Sequence, residues 1–159
     1  MNFAQVHLAL NHGPVFGFFF AVLVFVHGVF YKQRDVVKVA LWMFFAAALI
    51  AVPVYLTGDP AEGIVKKLPE VQQSAIEDHD NAATIALIAV SVVGVCALGL
   101  LFLLRKGPLL PWLRTIFLAV AILTSGWLFY TAGLGGKIHH SETRAGFILP
   151  PGGEEEEHD

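Results

Sequence analysis

The chain has 159 residues, 56% of them hydrophobic and 14% charged, with a mean hydropathy of +0.67. Soluble domains carry about 25% charged residues, so this composition excludes an ordinary soluble domain and points to a membrane protein. The net charge of -3 excludes a nucleic-acid partner, which needs a basic surface.

In chain order, Phe3, Val6 and Leu10 recur at three- to four-residue spacing and predict a short helix lying at the membrane interface. Asn11-His12-Gly13-Pro14 then reads as a helix start, with Asn11 or His12 near the cap and Pro14 in the first turn. The first apolar run covers about residues 14–31; no Lys or Arg precedes it and no small-x-small site follows it, so it is not read as a cleavable signal peptide. A second run covers about residues 39–57. Asp59-Pro60-Ala61-Glu62 has the form of a capping box and predicts a short helix to about Leu68, stopped by Pro69.

Ser74-Ala75-Ile76-Glu77 is a second such box. It predicts that the third helix starts near Ala75 and runs through residues 75–105, about 45 Å at 1.5 Å per residue. That exceeds the hydrocarbon layer, so its first turns, with His79, stand among headgroups. The fourth run covers about residues 109–135 and leaves at Gly135-Gly136, a pair that reads as a helix C-cap or as room for a flat group or a close backbone approach. Residues 150–159 are Pro, Gly and mostly acid, a solvated tail by composition. The fold class that follows is all-α, an integral membrane antiparallel four-helix bundle over residues 1–149, with a short N-terminal interfacial helix and a short helix in the loop between spans two and three.

Lys32, Arg34, Lys38, Arg105, Lys106 and Arg114 lie tightly around the ends of the spans on one face, against Lys66, Lys67, Lys137 and Arg144 on the other. The positive-inside bias therefore places both termini outside, in the periplasm if the membrane is a bacterial inner membrane. Span counting then has a chemical consequence. His7 and His12 precede the first span, His79 the third, and His139 and His140 follow the fourth, so four crossings gather these imidazoles on one outer face with Glu77, Asp80 and Glu142. Imidazole is the commonest metal ligand and a frequent haem ligand, and ionisable groups at a membrane persist where something satisfies them. His7, His12, His79, His140, Glu77 and Glu142 are the candidate metal ligands. His27 stands alone at its depth and is expected to make a polar contact inside the bundle. Cys96, the one cysteine, reads as a small apolar residue.

The segments His7-Leu-Ala-Leu-Asn11-His12-Gly-Pro14, Tyr55-Leu-Thr-Gly58, Ile76-Glu77-Asp-His79-Asp80 and Gly135-Gly136-Lys-Ile-His139-His140-Ser-Glu142 together resemble an uncharacterised family of small four-span bacterial membrane proteins, a domain-of-unknown-function group. Its members open on a His-containing helix start and close on a Gly-Gly…His element. The resemblance covers roughly residues 5–145. It implies a four-helix fold, a link with haem or electron-transfer proteins, and roles for His7, His12, His79 and His140; Arg is more usual there at His139 and Pro at Ser141. The leading functional expectation is a membrane redox protein with haem b held by two of His12, His79 and His140, exchanging electrons with a quinone or a periplasmic cytochrome. The alternatives are a zinc or copper site, or an accessory subunit of a larger membrane complex. No nucleophile elbow, phosphate loop or dinucleotide glycine pattern is present.

Overall fold

The computed structural model describes residues 2–68 and 71–140; Glu142 and the acidic tail lie outside the described residues. The described residues form helices α1 (Phe3–Leu10), α2 (His12–Phe30), α3 (Arg34–Leu56), α4 (Gly58–Val65), α5 (Gln73–Lys106) and α6 (Pro111–His139). Four helical stretches are long and apolar enough to cross a membrane. The helix bundle they make is a closed ring: α2 packs on α3, α3 on α5, α5 on α6 and α6 back on α2.

Side-chain size explains how the ring closes. Gly17 meets Ala47, Gly94 meets Ala48, and Gly28 lies so close to Val37 that a Cβ there would stand 2.8 Å from the Val37 backbone nitrogen. Small residues at such crossings bring backbones together, which is how helices associate where lipid tails compete with side chains for apolar contact. Between the seams, Phe18, Phe25 and Phe44 are fully buried. Their rings and that of Phe117 interlock, with centroids 5.3 Å apart for Phe18–Phe44 and Phe44–Phe117 and 5.2 Å for Phe25–Phe117. Leu109, from the turn before α6, is buried in the same core. The outward face is the reverse of a soluble protein's: Phe30, Leu56, Val95 and Leu123 are each about 70% exposed. A belt of this kind is far beyond the apolar patches of soluble monomers and suits lipid.

Several local readings are corrected by the structure. α4 begins at Gly58 with Thr57 before it, and α5 begins at Gln73 with Gln72 before it; neither start has a side-chain cap. Asp59 and Ser74 therefore lie inside their helices rather than at the caps. The capping box that does form is Asn2 with Gln5, each side chain accepting from the other's backbone N–H. α6 runs straight through Gly135-Gly136 to His139, so those glycines do not end the helix. His27 is exposed rather than inside the bundle, its ring 4.6 Å from that of Tyr31.

Candidate functional site

At the end of the ring away from the turns 31–33 and 107–110, the helices part around a cavity of about 590 Å³, within the range of small-molecule sites. α1 and α4 pack on each other across this end and supply part of its lining. His7, His12, His79 and His140 all border the cavity. They come from α1, the start of α2, the second turn of α5 and the end of α6. The walls are otherwise mostly apolar, including Phe16, Leu87, Val90 and Phe129, and no Lys or Arg is among the described residues that line it.

Three of these imidazoles share one arrangement. His79 Nδ1 is 3.0 Å from the carbonyl oxygen of Thr131. His7 Nδ1 is 3.0 Å from the carbonyl of Val54 and 3.2 Å from Thr57 Oγ1. His12 Nδ1 is 3.2 Å from the carbonyl of Leu8. A carbonyl can only accept, so in each case Nδ1 carries the proton and donates. In the neutral ring this leaves the lone pair on Nε2, which is the tautomer a metal-binding imidazole adopts. The carbonyl that anchors His7 sits in the last turn of α3, where carbonyls have spare capacity and carry the negative end of the helix dipole; the one that anchors His79, on Thr131, lies about two turns inside α6.

Helix ends alone do not bring His7 and His79 together; two local features do. Thr57 Oγ1 donates to the carbonyls of Pro53 and Val54 and accepts from His7, pinning α1 against the end of α3. Gly135 lets the His79 ring lie flat on α6: a Cβ there would be 3.1 Å from Cε1 and 3.3 Å from Nδ1. The close approach foreseen at Gly135 is thus made by His79 itself. α5 and α6 are tied below it by Trp127 Nε1 and Thr131 Oγ1, both donating to the Ala82 carbonyl at 3.0 and 3.4 Å. α3 and α5 are tied by the hydroxyls of Tyr55 and Thr84 at 3.1 Å. The result is two imidazoles from distant segments with ring centroids 6.4 Å apart and planes at 88°.

The other candidate residues are placed differently. His12 is exposed at the cavity edge, its ring stacked on Phe16 at 6.2 Å and 10°. His140 caps α6 and borders the cavity. Glu77 is exposed, accepts from Gln73 Nε2 at 3.2 Å and does not border the cavity. Glu62 and Asp80 are the carboxylates that do, with Glu62 paired to Lys66. Among the described residues, no three of His, Cys, Asp and Glu come close enough to share one metal ion. Fold and site together define a membrane-type helix bundle with a histidine-lined cavity at one end. No protein-family model, curated protein or solved structure matches the chain.

Proposed function

We propose that the four long helices cross a bacterial inner membrane as an antiparallel bundle with α1, α4 and both termini on the periplasmic side. In this reading the cavity holds a haem b between two of its histidines, making the chain a membrane electron-transfer protein that works with a quinone or a periplasmic cytochrome. The observation that carries the reading is the His7–His79 pair. His7 and His79 would hold the group between them: their ring centres stand 6.4 Å apart, close enough for one metal to reach both rings. A haem needs only two axial donors from the protein, which a pair supplies, whereas zinc or copper asks for three or four ligands.

When bound, such a group supplies a one-electron iron couple. The chain's own part is to hold it and set its surroundings. The Nδ1–H bonds of His7 and His79 fix ring orientation and raise the donor strength of Nε2, while the apolar walls exclude water. The test is a visible spectrum with metal analysis on one sample of the purified full chain, as isolated and after haem addition. A Soret band with one iron per chain is expected. Its absence under both conditions rejects the haem, and one zinc per chain without iron transfers the site to the metal reading.

A further inference from the structure

Beside the His7–His79 pair, the wall between α2 and α6 has features that axial ligation does not use. Phe16 and Phe129 border the cavity and are 46% and 43% exposed, at the seam where α2 meets α6. Their rings meet edge to face at 6.4 Å, and Phe19 packs on Phe129 at 5.9 Å. This aromatic wall lies on the most sparsely packed of the four helix seams. His12 stacks on Phe16 at its polar end.

Next to His12 is Asn11, at the junction of α1 and α2. Asparagine at a helix start ordinarily caps it, but the Asn11 side chain does not cap α2. Its Oδ1 is buried with no hydrogen-bond partner, a costly state that a partner would relieve. Asn11 borders the cavity, so a side-chain rotation suffices to meet a ligand there. His12, with Nδ1–H committed to the Leu8 carbonyl, offers Nε2 as a second acceptor.

We propose that this wall binds the head of a lipid hydroquinone, with its ring against Phe16 and Phe129, its hydroxyls donating to His12 Nε2 and Asn11 Oδ1, and its isoprenoid tail leaving between α2 and α6. The chemistry selects that class. The unpartnered Oδ1 of Asn11 and His12 Nε2 both accept, which favours a ligand that donates. Among the described residues the lining has carboxylates and neither Lys nor Arg, which favours a ligand without an anionic head. The apolar, half-exposed wall suits a ligand delivered from the bilayer, and stacked aromatic rings suit a flat one. This names the electron donor for the redox reading and rests on that reading for its purpose, but the binding itself needs no haem.

The experiment is calorimetric titration of the full chain in lipid nanodiscs, with and without added haem. The probes are a short-tailed benzohydroquinone kept reduced, its oxidised quinone and its dimethyl ether. Saturable binding of the hydroquinone at one per chain, about tenfold tighter than either analogue, is expected from the loss of two donated hydrogen bonds. His12→Phe keeps the stacking and removes the acceptor, and Asn11→Leu removes the other; each should weaken hydroquinone binding several-fold without affecting the ether. Equal binding of all three compounds, or no saturation, overturns the proposal on the native protein alone, even if a variant does not fold. A chain that takes up no haem but binds the hydroquinone selectively fails the haem reading and keeps this one.

Discussion

From the turns 31–33 and 107–110 through the middle of the bundle, the four helices meet through glycine seams and a cluster of phenylalanine rings; at their other ends the same helices stand apart around a histidine-lined cavity. The two ends use opposite kinds of contact. At the closed end the contacts are close and mostly apolar. At the open end they are hydrogen bonds from side chains to backbone carbonyls of neighbouring helices: His7 to Val54, His79 to Thr131, Trp127 to Ala82. Where lipid competes for every apolar contact, tight packing has to hold the helices together. A site needs space, so it cannot also be the place where packing is densest. Stability and function are thus assigned to different ends of the same helices.

That division can be broken by mutation, and the largest effect is expected at the closed end. Phe44→Ala removes a ring that touches Phe18, Phe25 and Phe117. It should cost about 2–4 kcal/mol, in the lower part of the large-to-small range because lipid competes with the native core. Reversible unfolding in mixed micelles measures the loss, and bound cofactor per folded chain should be unchanged. Gly28→Ala comes next. Its new methyl would stand 2.8 Å from a backbone nitrogen and 2.9 Å from Val37 Cγ2, so α2 and α3 must separate, at about 1–3 kcal/mol. If either variant lost cofactor while keeping its stability, the two ends would not be separate and the comparison would fail.

Sequence pattern and structure agree on the four long apolar helices because that signal is redundant, repeated over some twenty residues per span. Starts and stops were less legible. Asp59…Glu62 and Ser74…Glu77 satisfy the capping-box pattern, yet both helices begin two residues earlier, which leaves Asp59 and Ser74 inside the first turn. Gly135-Gly136 has the composition of a helix end, but the helix runs on to His139. Span counting put His7, His12, His79, His139 and His140 on one face, and of these His7, His12, His79 and His140 border the cavity. It could not rank them, since parity assigns a face and not a distance. The His7–His79 pairing depends on Thr57 and on the carbonyls of Val54 and Thr131, and backbone acceptors have no sequence signature. The bare Asn-His pair at 11–12 was readable only as a cap, which Asn11 does not make.

At the open end the sharper test is Gly135→Ala, whose methyl would press on His79 at 3.1 Å from Cε1 and 3.3 Å from Nδ1. The imidazole can move by a few tenths of an ångström, at the expense of its bond to Thr131. Alanine is a better helix residue than glycine by about 0.5–1 kcal/mol, so folding stability should stay within about 1 kcal/mol of native. Haem affinity, read from titration midpoints, should fall about tenfold or more, as when support behind a ligand is disturbed. The reverse pattern, lower stability with unchanged affinity, would make the His79–Gly135 contact ordinary packing and erase the distinction between the ends.

The smallest effect is expected at the closed end, and it has the opposite sign. α2 stops at Tyr31, after which Lys32 has φ 55°. Gln33 N donates to the Gly28 carbonyl at 2.8 Å and Lys32 N to Val29 at 3.3 Å. This is the paired bonding of a helix end that normally uses glycine at the left-handed position. Lysine holds that conformation under strain of about 1 kcal/mol, while its charge sits beside Arg34 and Lys38, where the positive-inside bias is read. Lys32→Gly should relieve the strain, less the entropy that glycine gains in the unfolded chain, for a net gain of about 0.5 kcal/mol in the same micelle assay. Because the change also removes a positive charge next to a span, accessibility labelling of introduced cysteines at the two loop faces should be run alongside. A stabilised chain with unchanged orientation would show that the turn's geometry and its charge act separately. Partial inversion would show that Lys32 is retained for orientation at a cost in stability.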